Sequence, residues 1–533
     1  MYPPFPTTLT KDLPTFNRVV CNTDARVILT NRKYRWVTKA TKLQGLFRSK
    51  RHTAAWPKNV HWITSNSIRS CSPSRYDSSK AQQLTLDDLA YLQHTSGSTG
   101  PQKPTMVSHR NLCAQLQSWD TITPEDTLVS WLPSNHDMGL VGFIVAPCVF
   151  SSRCVSMSPT SFLKDPTLWM QAVTTYRATH VCGPAFAYAL VARKTTQDRA
   201  KTMDLRTLKQ TICAAGHIRA ESLKAFITTF EVAGFDPKTF NCGYGLAEAT
   251  LVCTGQDPRQ RNMPTLLRVS RRTLEMQQCA VMVEELEKEA NPKQAAADVV
   301  TLVGCGKPMP TFSIAIVDPS SKKQLEAEGQ IGEVWIQGPS VVTGYWNKPD
   351  ETTQTFGALL HGETNESNTF CRSGDLGFLH NGELFVTARL KDLMILRGRH
   401  IAPQRVEETV ERAHQEIRPG CVAAFTIKKN HEQALIVVAE VRNGSAKDDE
   451  YVTICLSIQG CLLVDHRLRC EAIVLLPAKS IPKTTSGKLQ RGVAKAQFQG
   501  RMLTKPLYEY AAEEETDDDD ALSPNIELIT TQL

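Results

Sequence analysis

The sequence predicts an α/β fold built on a parallel sheet, accompanied by a small second domain, and three patterns carry that prediction. From Leu84 onward short β-rich runs alternate with longer helical ones, the layout in which helices cover both faces of a parallel sheet. Between Phe312 and Val386 several short strands follow one another with turns between them, which suggests a β-rich subdomain. Beyond Leu390 to Arg399 one helix and two strands recur, enough for a separate small α+β domain. A chain of 533 residues also exceeds what one hydrophobic core usually serves.

Taken in order, Tyr2 to Thr30 reads as a Pro-rich loop leading into a helix and a strand. Asn31 to Lys80 is basic, Ser-rich and weakly periodic, so it reads as a partly disordered connection with a strand around Val60 to Thr64. Thr127 to Leu132, Thr179 to Cys182 and Thr211 to Ala214 read as buried strands, and Pro166 to Tyr176 and Ala220 to Phe230 as helices. Pro264 to Val300 reads as helical, with Glu284, Glu285, Glu287, Lys288 and Glu289 crowded together. Phe312 to Val317, Gly332 to Gln337 and Glu383 to Val386 are the short strands. Val406 to Ala413 is the helix of the second domain, and Ala423 to Lys428 and Ala434 to Val441 are its strands. From Glu513 the chain is acidic, with too few apolar residues to fold. The expected organisation is therefore 1–390, 391–505 and a tail from 506 to 533.

Composition narrows the function classes. Hydrophobic residues make up 41% and charged residues 22%, ordinary for a globular protein, and no apolar run reaches the length of a membrane span. The first residues carry neither an apolar signal core nor an Arg-rich amphipathic pattern, so a cytoplasmic protein is expected. The 16 cysteines are scattered without metal-ligand spacing and read as small core residues. The net charge of +7 is uneven, with a basic patch at Arg48, Lys50, Arg51 and His52 and acid in the tail. No aromatic-interleaved motif accompanies the basic residues, so no nucleic-acid partner is expected.

The chemistry begins at Tyr91 to Leu112, YLQHTSGSTGPQKPTMVSHRNL. Apolar residues end at Leu92, after which Thr95, Ser96, Gly97, Ser98, Thr99 and Gly100 follow without a bulky side chain, and Lys103 comes just behind. Glycines let backbone N–H groups turn toward an anion, hydroxyls add donors and lysine adds charge, which is the composition of a phosphate-holding loop. The glycine and lysine spacing is wrong for a Walker loop. Two further runs are distinctive, WLPSNHDMG at Trp131 to Gly139 and NCGYGLAEAT at Asn241 to Thr250.

Together these runs resemble the adenylate-forming enzymes, and among them the fatty acyl-AMP ligases, over nearly the whole chain. The resemblance implies a large adenylation domain and a small mobile C-terminal domain. It implies ATP and Mg²⁺ as cofactors, a fatty acid as substrate, and an acyl carrier protein or a synthase carrier domain as acceptor, with a monomeric enzyme. By resemblance Thr95, Ser96, Ser98 and Thr99 hold phosphate oxygens beside Lys103. Gly243, Tyr244 and Gly245 form the adenine run, with Tyr244 stacking on the base and Glu248 as the Mg²⁺ ligand, both physically apt. Asp375 in RSGDLG and Arg389 bind ribose, since a carboxylate is a bidentate acceptor for a diol. Lys391 is the hinge, and Lys488 in IPKTTSGKLQR is the catalytic lysine that bridges the attacking carboxylate and the α-phosphate. His136 gates the acyl pocket.

Several positions depart from the family pattern. Pro104 follows the loop lysine where glycine is usual, Ala214, Ala215 and Gly216 replace a Gly-Ala-Glu run, and Ala388 replaces a glycine. Family members carry a further segment before the region that Tyr2 to Thr30 resembles, so the N-terminal subdomain is expected to be incomplete. Pro264 to Val300 sits where acyl-AMP ligases carry an insertion. Ser158 to Trp169, SPTSFLKDPTLW, and Gly183 to Tyr188, GPAFAY, suit an alkyl pocket or a plain core. Two other functions share these residues: an acyl-CoA ligase, and a non-catalytic module that uses the fold to bind a lipid or a partner.

Overall fold

The computed structural model describes residues 9–47, 56–57, 59–67, 83–97, 100–283, 298–430, 432–442, 444, 447–484 and 487–511. It divides into two compact units, Met1–Ala402 with Lys483–Gly492, and Pro403–Pro482 with Val493–Leu533. The basic patch at 48–52, the acidic cluster at 284–297 and the tail from 512 lie outside the described residues.

The first unit opens with a helix, Leu9–Asn22, and strand β1, Val27–Thr30, which pairs parallel with β2, His61–Thr64. Between them Arg32–Phe47 is a continuous helix within the expected partly disordered connection. Tyr34 and Val60 pack with Phe16, Trp56 and Trp62 in one cluster, so tertiary packing supplies what weak periodicity did not advertise. Next come β3, Leu89–His94, and β4, Pro104–Ser108, an antiparallel pair that holds the Ser/Thr/Gly loop between its ends.

The centre of the unit is a five-stranded sheet in the order β6-β5-β7-β8-β9. Its strands are β5, Thr127–Ser130, β6, Arg153–Ser156, β7, His180–Gly183, β8, Gln210–Cys213, and β9, Phe240–Cys242, all parallel. Alternation divides their side chains between two faces. Val129, Val181, Cys213, Phe240 and Cys242 join one core with Phe162, Trp169, Tyr188 and Phe226. Leu128, Cys182 and Ile212 belong to the opposite face, against Leu116, Met138 and Phe143.

The segment 264–300 also differs from the sequence reading. Leu266–Ser270 and Val299–Val303 are strands paired antiparallel, and Arg271–Met276 is a short helix directly after the first of them, so 264–300 is not one helix. Runs rich in Val and Leu find a pairing partner, and that long-range contact decides their conformation. A four-stranded antiparallel sheet then runs Ser313–Val317, Gly332–Gln337, Cys371–His380 and Glu383–Arg389. In its last pair Asp375 stands directly across from Arg389.

The second unit has a sheet of Ile417–Lys429, Glu432–Val441, Ala472–Leu476 and Tyr508–Ala511. Helices Pro403–Ala413 and Asp448–His466 belong to the same unit, the second of which the sequence reading passed over. Tyr508–Ala511 pairs antiparallel with residues 472–475, which takes these four positions out of the expected tail. Tyr508 and Tyr510 alternate with glutamate and alanine there, giving the strand a half-buried face.

Candidate active site

A cavity of about 1270 Å³ in the first unit gathers most of the residues that the sequence singled out. Thr95, Ser96, Gly97, Gly100 and Lys103 line it from the β3–β4 loop, with His136, Gly243, Tyr244, Gly245, Glu248, Arg389, Lys391 and Lys488. Asp375 stands behind the lining, bonded to two of those residues. Ser98 and Thr99 lie outside the described residues.

The loop is closed at its base. The Thr95 N–H donates to the Lys103 carbonyl at 2.9 Å, and the Lys103 N–H donates to Thr95 Oγ1 at 3.1 Å. Gly97 turns the chain with φ +65°, where a Cβ would meet Gln102 Cγ at 2.7 Å. Pro104 is accommodated because it is the first residue of β4, where a missing N–H is tolerated, and its carbonyl accepts from the Trp346 N–H at 2.8 Å. Burial, together with the neighbouring Lys391, pulls the Lys103 ammonium below its ordinary range.

Tyr345 links two of these groups and was missed in the sequence. Its hydroxyl donates to Glu248 Oε1 at 2.7 Å, and Lys103 Nζ sits 4.5 Å over its ring. The available signal was an aromatic pair, Tyr345 and Trp346, directly behind Gly344. Burial pushes the Glu248 carboxyl up, against the bond from Tyr345. The backbone after Glu248 is strained: Thr250 has φ +70° and ψ −55°, and the Leu251 N–H closes a γ-turn on the Ala249 carbonyl at 2.8 Å. This turn brings the Leu251 carbonyl so close to Gly245 that a Cβ there would stand 1.8 Å from it.

Tyr244, Asp375 and Arg389 form a second group. The Tyr244 hydroxyl donates to Asp375 Oδ2 at 2.8 Å, while Arg389 Nε donates to Asp375 Oδ1 at 2.7 Å. The carboxylate raises the Arg389 guanidinium above its ordinary value. Below them Glu333, also missed, accepts from Arg372 Nε at 2.9 Å and from the Gly374 N–H at 3.2 Å, fixing the turn ahead of Asp375. Ala214 and Ala215 line the cavity near Gly243, and Ala215 is held at φ +69°.

Lys488 reaches the cavity from a turn in which its N–H donates to Thr484 Oγ1 at 3.1 Å. The turn is tied down by Gln490 Nε2, which donates to the Gly97 carbonyl at 3.1 Å, and by Arg491, 3.2 Å from Asp392. Burial pulls the Lys488 ammonium down, and Asp137 opposes that shift. Burial would raise the Asp137 carboxyl, but His136 and Lys488 hold it below the ordinary range. His136 Nδ1 lies 2.5 Å from Asp137 Oδ1 and also 3.3 Å from the Met138 N–H. One ring nitrogen cannot donate and accept at once. The shorter contact wins, since Met138 N–H has Asp137 Oδ1 at 2.7 Å.

From this polar end the cavity extends along the sheet face of Leu128, Cys182 and Ile212, with Trp119, Ile122 and Phe143 also lining it. The two runs that suit an alkyl pocket or a plain core belong to the core. Among Ser158 to Trp169 and Gly183 to Tyr188 no residue lines the cavity, and Phe162, Trp169 and Tyr188 are fully buried in the core of the opposite face. Apolar composition alone does not tell the two faces of a sheet apart.

A family model of AMP-binding enzymes matches residues 14–346, and a model of the AMP domain of Disco-interacting protein 2-like proteins matches 391–506. The medium-chain-fatty-acid–[acyl-carrier-protein] ligase JamA of Moorena producens is 34% identical, over 93% of this chain and 80% of its own. The long-chain-fatty-acid–AMP ligase FadD26 of Mycobacterium marinum is 34% identical, over 75% of this chain and 68% of its own. A solved fatty acyl-adenylate ligase, one of the E. coli and L. pneumophila enzymes, matches with TM-score 0.77 and 28% identity, covering 94% of this chain and 83% of its own.

Proposed function

Because this chain belongs to the AMP-binding enzymes, in the fatty acyl-AMP ligase branch, we propose that it joins a fatty acid to AMP at the expense of ATP, releasing pyrophosphate. The observation that carries this reading is one cavity with a cationic, hydroxyl-rich end and an apolar arm along the parallel sheet. The reaction needs no general base, because the attacking carboxylate is already ionised near neutral pH. It needs the two reactants held close and the charge at the α-phosphate neutralised as it grows.

Thr95, Ser96, Ser98, Thr99 and the backbone of Gly97 and Gly100 are assigned to the phosphates, with Lys103 at the pyrophosphate end. Gly243, Tyr244 and Gly245 take the adenine side. Asp375 takes the ribose hydroxyls, held for that task by Arg389 and Tyr244. Lys488 is assigned the bridge between the attacking carboxylate and the α-phosphate, and its burial beside Asp137 supports a charge aimed at one place. His136, in contact with Asp137, is assigned the mouth of the apolar arm. Lys391 is assigned the hinge, at a turn where the Asp392 and Leu393 N–H groups both donate to the Arg389 carbonyl. Functional domains of 1–390 and 391–505 follow from that assignment.

Glu248 is the carboxylate that fits a magnesium ion. Among the described residues no three His, Cys, Asp or Glu side chains form a metal cluster, which suits an ion that arrives with the nucleotide and keeps waters and phosphates as its other ligands. Such an ion would supply charge neutralisation on the phosphates.

The acceptor is assigned as the phosphopantetheine thiol of a carrier protein, in the cytoplasm and by a monomeric enzyme. No described helix is long and apolar enough to cross a membrane. The test is to incubate the chain with ATP, magnesium and a fatty acid, and to follow acyl-AMP before and after adding CoA or a carrier protein. Acyl-AMP that is consumed only by the carrier supports the assignment. Efficient acyl-CoA formation would overturn the acceptor and leave adenylation standing.

A further inference from the structure

The apolar arm does not end in an apolar wall. Strand register orders the cavity-lining residues of the parallel sheet into rows across it. Ala214 and Gly243 stand at the loops that follow β8 and β9, beside the polar end. The next row inward is Cys182, Ile212 and Asn241, since Cys182 pairs with Ile212 and Ile212 with Asn241. The last row is Leu128, His180 and Gln210, again in register. From Ala214 to Gln210 the chain advances about 13 Å at roughly 3.3 Å per residue. At that depth two of the side chains that line the cavity, His180 and Gln210, are imidazole and amide.

These groups are loosely engaged with one another. Gln210 Nε2 is 3.4 Å from Thr121 Oγ1, and Gln210 Oε1 is 3.5 Å from Asn241 Nδ2, both at the long limit of hydrogen bonding, whereas Asn241 is held by the Gln256 backbone, donating to its carbonyl at 3.0 Å and accepting from its N–H at 2.9 Å. His180 is anchored on its other side, with Nδ1 2.8 Å from Thr179 Oγ1 and 3.9 Å from the Asp126 carboxylate. The carboxylate favours a proton on Nδ1, which leaves Nε2 as an acceptor. Burial holds this ring neutral, well below its ordinary range at about 4. A methyl terminus reaching this row would strip water from two polar groups and return no bond, whereas a hydroxyl can donate to imidazole and accept from amide.

We propose that the arm is built for a carboxylic acid carrying a hydroxyl at its distal end, and that His180 and Gln210 read that hydroxyl. The inference rests on the assignment of the arm to the acyl chain. It is tested by ATP–pyrophosphate exchange of the full chain with straight-chain acids of matched length, methyl-ended or ω-hydroxylated. At the best length the hydroxy acid is expected to have the higher kcat/KM by about tenfold, one satisfied hydrogen bond against buried groups left unpaired. In Gln210→Leu and in Gln210→Met the ratio is expected to fall toward one or invert. Methyl-ended acids used as well or better at every length would overturn the inference while adenylation stands, and so would an unchanged ratio in both variants. Absence of exchange with either class would remove the adenylation reading and this inference with it.

Discussion

Tyr345 and Glu248 are joined by a 2.7 Å hydrogen bond from the phenol to the carboxylate, and the same ring lies under Lys103 at 4.5 Å. A cation and an acid that both face the cavity are thus positioned by one aromatic side chain 97 residues beyond the acid. Tyr345→Phe keeps the ring under Lys103 and removes only the bond. It is expected to lower adenylation by about tenfold to a hundredfold, the worth of one bond to a charged group. Glu248→Gln is expected to do more and to move the magnesium titration to higher concentration, because an amide is a poorer ligand for a hard cation. An unchanged titration in Glu248→Gln would take that residue out of the site.

Asp375 holds Arg389 and Tyr244 at once, so Asp375→Asn loses an ion pair as well as a bidentate acceptor. The KM for ATP is expected to rise by about tenfold to a hundredfold, the cost of hydrogen bonds to a charged group. The KM for the fatty acid is expected to stay near its starting value. A variant that raises both together would show that the pair supports the whole cavity instead of the nucleotide side.

The division between the two sheet faces makes a paired prediction. Ile212→Phe fills the arm and is expected to shift the preferred acid to shorter chains, read from an exchange profile against chain length. Phe162→Ala, on the opposite face, is expected to cost about 3 to 5 kcal/mol of stability by denaturant unfolding and to leave that profile in place. A shortened profile in Phe162→Ala would reverse the assignment of the faces.

The parts of the molecule that were legible in the sequence are those fixed by local pattern. Strands such as β7 and β8 announce themselves as short β-rich runs between helical ones, and Glu248, Asp375 and Lys488 sit in runs whose composition suits their setting. What escaped is what depends on distant partners. The helix Arg32–Phe47 shows little periodicity, and Leu266–Ser270 becomes a strand because Val299–Val303 lies beside it. Tyr345 and Glu333 act through residues 97 and 39 positions away, so no local run marks them. Phe162 and Ile212 are equally apolar, and only the pleat of the finished sheet tells core from cavity.

Lys488 gives a pH test. Its proton is held less tightly than that of an ordinary lysine because of burial. If the charged form works, adenylation falls on the alkaline side as pH rises through that lowered pKa. Lys488→Arg keeps its charge throughout, so its remaining activity, reduced by the different head group, is expected to lack that alkaline fall. Retention of the same fall in the arginine variant would assign the titration to another group.

The central claim is that one cavity activates a fatty acid with ATP, and ATP–pyrophosphate exchange driven by fatty acids measures that step without any acceptor. The account predicts acid-dependent exchange by the full chain, and a loss of about a hundredfold to a thousandfold in Lys488→Ala with ATP affinity nearly intact, the cost of removing a preorganised charge from a developing one. A folded protein that exchanges with no fatty acid of any chain length, or a Lys488→Ala variant that exchanges at the normal rate, would contradict it.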